Sequence, residues 1–245
     1  MANLRHIAII SPEPKKLYDY YHHLYRLEQV RESPSGSIHV IDGLFNLAFL
    51  AQQAVVSATS DTHRDDGHEI DQSPGIAHFG FTVDRLEDVF DKLDQSVHRG
   101  ETPQNGRPAE MRVVDPWGNR VDVSSKGFLG REERGTPGIR YAAIECADPD
   151  GACEFYRRIF DLTEMTRTDD GVLLTDGYIT IELTRRRILE TSGIQFFGIQ
   201  IDDWEELRTR LAEIGQELPP ESDGQVMLTD PEGNLYAVSK AGWES

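Results

Sequence analysis

Thiols are scarce in this chain. Cys146 and Cys153 are its only two cysteines. Their separation fits neither a disulfide framework nor a thiolate metal site, so both read as buried, reduced thiols. Positive charge is also in short supply: 25 Lys and Arg stand against 43 Asp and Glu, a formal net charge of −18. A nucleic-acid backbone or an anionic membrane surface calls for a basic face, so neither is expected as a partner. No apolar run approaches the length of a membrane span, and no secretory leader opens the chain; a cytoplasmic protein acting on a small molecule is the resulting expectation. Also missing are the Gly-x-Ser-x-Gly elbow, the phosphate-cradling Gly-Lys-Ser/Thr loop and the dinucleotide fingerprint. Any chemistry must come from another kind of site.

What the chain does contain is an internal repeat. Ile7 to Leu27 aligns with Ala142 to Leu162 without a gap. Asp42-Gly43-Leu44-Phe45 answers Asp176-Gly177-Tyr178-Ile179, and Gly75-Ile76-Ala77-His78-Phe79-Gly80 answers Gly193-Ile194-Gln195-Phe196-Phe197-Gly198. Asp115-Pro116-Trp117-Gly118-Asn119 answers Asp230-Pro231-Glu232-Gly233-Asn234. Landmarks in one order through both halves indicate two similar domains. We place them at residues 1–128 and 138–245, joined by a charged, Gly- and Pro-bearing linker at 129–137.

Within each half, a strand–helix–strands unit is expected twice. His6 to Ile10 alternates as a strand; Pro14 to Leu24 has helical spacing, with Pro14 suited to a first turn. Ser37–Ile41 and Leu44–Leu50 flank the turn signal Asp42-Gly43. Ile76–Val83, Met111–Val114 and Arg120–Ser124 read as strands, Leu86–Leu93 as a helix, and Ser57–Pro74 as a polar mobile loop. Tyr20, Tyr21, Tyr25, Phe155, Tyr156 and Phe160 sit at helical spacing and read as core.

Side chains on a strand alternate between its faces. His6 and Ala8 therefore oppose Ile7 and Ile9; His78 and Gly80 oppose Phe79 and Phe81; Asp122 opposes Val121 and Val123. The bulky apolar set should meet the helices. The opposite face then carries two imidazoles and one carboxylate, His6, His78 and Asp122, the donor set that holds one divalent metal and leaves part of its coordination open. The second half has Tyr141, Phe196 and Ala237 at these places. That half reads as a filled, metal-free buttress, or alternatively as an apolar pocket with Glu145 and Gln200 as polar anchors.

Other polar residues are weighed against plainer roles. His39, His63 and His68 are acid–base candidates because imidazole titrates near neutrality; surface histidines are commoner. Arg112 and Arg120 are candidates for holding an anionic substrate by a forked contact; solvated arginines are commoner.

Taken in order, Arg5-His6-Ile7-Ala8-Ile9, Tyr20-Tyr21, His78-Phe79-Gly80-Phe81-Thr82-Val83 and Asp115-Pro116-Trp117-Gly118-Asn119-Arg120-Val121-Asp122 resemble the vicinal oxygen chelate superfamily. That superfamily includes glyoxalase I, fosfomycin- and bleomycin-resistance proteins, methylmalonyl-CoA epimerase and extradiol ring-cleaving dioxygenases. The resemblance covers nearly the whole chain, once per half. It implies an α+β fold of tandem paired βαβββ modules forming two curved, open-barrel sheets, with metal ligands where His6, His78 and Asp122 stand. The family norm on the last strand is Glu. Asp122 is one methylene shorter, so a metal would sit closer to that strand or be held less tightly. If modules pair in sequence order, the three ligands converge; if the first paired with the fourth, His6 would face Phe196 and Ala237. Fe(II) is the favoured ion, with Mn(II) or Zn(II) as alternatives. An extradiol dioxygenase-like enzyme is the leading expectation, followed by a glyoxalase- or epimerase-like lyase or isomerase, and by a non-catalytic binder of the bleomycin-resistance type. Assembly into a homo-oligomer is compatible with all three.

Overall fold

The computed structural model describes residues 2–54, 73–93, 98–100, 109–188 and 193–243, the short stretch 98–100 by its backbone alone. The first half runs β1 (Asn3–Ser11), α1 (Pro14–Tyr25), β2 (Glu28–Glu32), β3 (Ile38–Ile41), β4 (Asn46–Ala51), β5 (Gly75–Thr82), α2 (Leu86–Phe90), β6 (His98–Gly100), β7 (Met111–Val114) and β8 (Arg120–Ser124). The second runs β9 (Gly138–Glu145), α3 (Pro149–Phe160), β10 (Thr163–Arg167), β11 (Gly171–Thr175), β12 (Thr180–Thr184), β13 (Ile194–Gln200), α4 (Trp204–Glu213), β14 (Gln225–Thr229) and β15 (Leu235–Ser239).

The repeat extends to the helix ends. α1 and α3 each begin with proline in the first turn and each stop at a left-handed residue, Arg26 at φ 59° and Asp161 at φ 56°. In both, the amide of that residue bonds back to a carbonyl four residues earlier, His22 and Arg157, which satisfies a backbone acceptor the helix would otherwise leave open. The helix expected at Leu86–Leu93 is shorter, ending at Phe90. Two edge strands, β2 and β10, carry little alternation and were not expected; both are mostly solvent-facing. Most of the polar segment 57–74 lies outside the described residues.

The strand orders are β2-β3-β4-β1-β5-β8-β7-β6 and β10-β11-β12-β9-β13-β15-β14. Each sheet is therefore two modules joined at their first strands, β1 against β5 and β9 against β13, in sequence order. The two halves pair their strands in matching registers. His6 lies opposite Asn46 and Gly80, and Gly80 opposite Asp122. Tyr141 lies opposite Thr180 and Gly198, and Gly198 opposite Ala237. His78 faces Ala8 as Phe196 faces Ala143. These are the pairs the sequence alignment requires.

The two sheets share one apolar core. Ile7, Ile9, Phe79, Phe81, Val121 and Val123 join Ala142, Ile144, Phe197 and Val238 in a single buried cluster with α1 and α3. Phe81 stacks on Phe160 at 4.2 Å, and Tyr21 meets Phe197 at 6.0 Å. Polar contacts across the halves are reciprocal. Asp176 accepts from Arg5 Nη1 and the Leu4 amide, both at 2.8 Å. Asp42 accepts from Arg140 Nη1 at 3.0 Å and the Ile139 amide at 2.7 Å. The Tyr156 hydroxyl donates to Asp115 at 2.6 Å, and the Tyr21 hydroxyl to Asp230 at 3.1 Å. Because Arg5 corresponds to Arg140, Asp42 to Asp176 and Asp115 to Asp230, the halves bind each other through one patch used twice, the geometry of an isologous interface. Among the described residues no helix is long and apolar enough to cross a membrane.

Candidate metal centre

The face of the first sheet turned away from this core collects the ligand candidates. His6, His78 and Asp122 offer ligand atoms that all lie within 4.8 Å of one another. They come from β1, β5 and β8, three adjacent strands, and arrive on one face because each occupies the alternate position to a core residue. All three are buried. At the position of β5 directly opposite both His6 and Asp122 there is no side chain: this is Gly80, where a Cβ would lie 2.7 Å from Phe128 Cζ and 3.1 Å from the Asp122 carbonyl oxygen.

His6 is oriented by Asn46, its partner across the parallel β1–β4 pairing. Asn46 Nδ2 donates to the Val40 carbonyl at 3.1 Å, so its Oδ1 is the acceptor, and it takes the His6 Nδ1 proton at 2.8 Å. That assignment places the proton on Nδ1 and the lone pair on Nε2, which is the tautomer an orienting contact imposes on a metal-ligating histidine. Burial, reinforced by the nearby His78, lowers the His6 pKa to about 3. The ring is thus neutral across the physiological range, the form that ligates. Phe128 lies flat on it, with ring centroids 4.8 Å apart.

Asp122 meets His78 Nε2 through Oδ2 at 3.3 Å. It also receives Arg112, Nε to Oδ1 at 2.6 Å and Nη2 to Oδ2 at 3.0 Å. Burial by itself would raise this carboxyl; Arg112, then His78, outweigh it and hold the group well below the usual carboxylate range. The donor set therefore fits a divalent cation: two imidazoles, one already neutral with a fixed tautomer, and an ionised carboxylate within reach.

The remaining sequence candidates separate. His39 on β3 sits behind His6 and reaches Asn46 Oδ1 through Nδ1 at 3.3 Å; burial lowers its pKa. His63 and His68 lie outside the described residues. Arg112 is engaged with Asp122, and Arg120 is half-buried at the start of β8. Two contributors escaped the sequence reading. Asn46 becomes visible only once β4 is known to lie beside β1. Phe128 was legible in the repeat, since Ser124, Gly127 and Phe128 correspond to Ser239, Gly242 and Trp243; both glycines have positive φ and both serine hydroxyls donate to the glycine carbonyl at 3.3 Å.

The corresponding face of the second sheet is filled. Tyr141, Ala143, Phe196 and Ala237 form a small apolar cluster with Met227, Leu235 and Trp243. Tyr141 is sandwiched between Phe196 at 5.6 Å and Trp243 at 5.0 Å, and its hydroxyl donates to Glu182. Of the expected pocket anchors, Glu145 pairs with Arg187.

The model of the glyoxalase/bleomycin resistance protein/dioxygenase superfamily matches residues 3–123 and 138–238. No curated protein matches the chain in sequence. Among solved structures, the fold is similar to that of the 2,3-dioxygenase LapB from Pseudomonas sp. KL28, at 11% identity and a TM-score of 0.68, covering 99% of this chain and 92% of that one. A Mn(II)-bound glyoxalase from Novosphingobium aromaticivorans superposes at 12% identity and a TM-score of 0.72, covering 98% and 82%. Homoprotocatechuate 2,3-dioxygenase from Arthrobacter globiformis superposes at 12% identity and a TM-score of 0.65, covering 98% and 80%. Identities this low speak for a shared fold.

Proposed function

This chain belongs to the glyoxalase/bleomycin resistance protein/dioxygenase superfamily, and we propose that it is a metal-dependent enzyme of extradiol dioxygenase type, acting on a small substrate with two neighbouring oxygens. The observation that carries the reading is the convergence of His6, His78 and Asp122 on one face, with ligand atoms within 4.8 Å. These three residues would hold the ion. When bound, a divalent cation with open positions supplies Lewis acidity to adjacent substrate oxygens and, as Fe(II), a place for dioxygen. Fe(II) is the preferred ion on this reading; Mn(II) and Zn(II) are the alternatives.

The protein's own part is orientation and exclusion. Asn46 fixes the His6 ring and its tautomer. Phe128 covers one face of that ring and keeps water from it. Gly80, without a side chain, leaves room for the Phe128 ring beside the strands that carry His6 and Asp122. The second sheet, filled by Tyr141, Phe196 and Trp243, buttresses the first through the shared core.

A lyase or isomerase of glyoxalase type is the second reading, favoured by the similarity to the Mn(II)-bound glyoxalase. One experiment orders the alternatives. Untagged protein is analysed for metal, reconstituted anaerobically with Fe(II), and supplied with catechol and dioxygen. Uptake of one dioxygen per catechol consumed is the expected result. Stoichiometric metal without uptake would favour the lyase or isomerase. Protein that takes up no metal would refute both enzyme readings and leave a small-molecule binder.

A further inference from the structure

Arg112 and Asp122 are direct cross-strand neighbours in the antiparallel β7–β8 pairing. The guanidinium grips the carboxylate in a fork, 2.6 Å and 3.0 Å, with side chains only 16% and 6% exposed. The second half records what happens when the carboxylate is absent. There Met227 lies opposite Ala237 in the same register, so both members of the pair are missing together. A substrate-binding or merely solvated arginine would have no reason to be tied to the carboxylate in this way. An arginine whose partner is the carboxylate would.

The consequence is electrostatic. In the form that ligates, with both imidazoles neutral, the three side chains carry a charge of −1, and the paired guanidinium of Arg112 offsets it before any cation enters. Beyond the Arg112 fork and the His78 contact, the carboxylate still has a lone pair to spare, so Arg112 does not use up its acceptor capacity. Arg112 opposes a cation by its charge, at short range and in a partly desolvated place where such interactions are weakly screened.

We propose that Arg112 is a built-in counter-ion for Asp122 that competes with a divalent cation, so that the site keeps its carboxylate aimed when empty and holds its ion weakly and exchangeably. The inference rests on the metal reading of His6, His78 and Asp122. It removes Arg112 from the substrate-binding role and makes it a tuning residue for metal affinity.

The test titrates Mn(II) alone into the full-length protein at neutral pH, for the native chain, Arg112→Met, Arg112→Gln and Arg112→Lys, with the dissociation constant and the thermal midpoint as readouts. Arg112→Met places on β7 the residue that β14 already carries; Arg112→Gln keeps a hydrogen bond to the carboxylate if the methionine variant folds poorly. Both uncharged variants are expected to bind Mn(II) at least about tenfold more tightly. They should melt lower than the native chain without metal, and gain more from its addition. Arg112→Lys, which keeps the charge, should stay near native affinity. Native chain that binds Mn(II) while the uncharged variants bind it equally or less well would overturn the inference and leave the metal reading standing. No binding by any of the four would overturn both.

Discussion

Asp42→Asn should be far more costly than an ordinary surface charge removal. The side chain is a cross-brace as well as a turn cap. Its Oδ1 accepts the Leu44 amide at 2.9 Å and the Phe45 amide at 2.6 Å, holding the β3–β4 turn. Its Oδ2 accepts the Ile139 amide and Arg140 Nη1 from the other half. The asparagine can keep its oxygen toward the turn. Its NH2 group then faces two donors, and Arg140, whose side chain is 6% exposed, is left as a buried cation without its anion. Breaking a buried pair in this way costs about 3–5 kcal/mol, against total stabilities of about 5–15 kcal/mol for proteins of this kind. Asp176→Asn removes the equivalent contacts to Leu4 and Arg5 and should cost a similar amount. The assay is urea unfolding at neutral pH, followed by far-ultraviolet circular dichroism and tryptophan fluorescence. We expect a lower midpoint in both variants and coincident transitions from the two probes, because the sheets share one core. Losses under about 1 kcal/mol, the range of exposed ion pairs, would refute the bracing role; two separated transitions would refute the common core.

Other consequences can be measured directly. His6→Ala should abolish most metal binding while Tyr141→Ala leaves it intact; equal metal content by elemental analysis would place the site elsewhere. Gly80→Ala should cost about 1–3 kcal/mol by overpacking, since the new methyl would meet the Phe128 ring at 2.7 Å, and a second change of Phe128→Leu should recover part of the loss in thermal midpoint. In metal-free protein, His6 has a folded pKa of about 3 against an ordinary value of 6.5. Between these values the unfolded chain binds a proton that the folded one refuses, so stability should fall as pH drops from about 6.5 to about 3, by an amount on the order of 5 kcal/mol. His6→Phe should flatten that limb of the stability profile; parallel profiles for the two proteins would contradict it.

The architecture and the convergence of His6, His78 and Asp122 on one face were both readable from the chain, for a common reason. A period of two on a half-buried strand separates core residues from their alternates, so Ile7 with Ile9, Phe79 with Phe81 and Val121 with Val123 expose by subtraction the face that carries His6, His78 and Asp122. The internal repeat then assigned the same faces to the second half, where the ligands are missing, and the requirement that three ligands converge pointed to module pairing in sequence order. The helix spacing of Tyr21 and Tyr156 was enough to place them in the core.

Tertiary structure alone decided what stands around those three side chains. Asn46 is 40 residues from His6, and no local pattern couples an asparagine near a turn to a histidine on another strand; the parallel β1–β4 register does. The fork between Arg112 and Asp122 depends on which residues of β7 and β8 fall opposite one another, and a shift of one residue would have turned Arg112 to the opposite face of the sheet. The reciprocal braces of Arg5 with Asp176 and Arg140 with Asp42 need both halves folded and docked before either partner has anything to bind. Periodicity is a local property and survives in the bare sequence. Register and docking are non-local, set by backbone pairing and by the packing of one sheet against the helices of the other, and they determine what charge stands beside His6, His78 and Asp122.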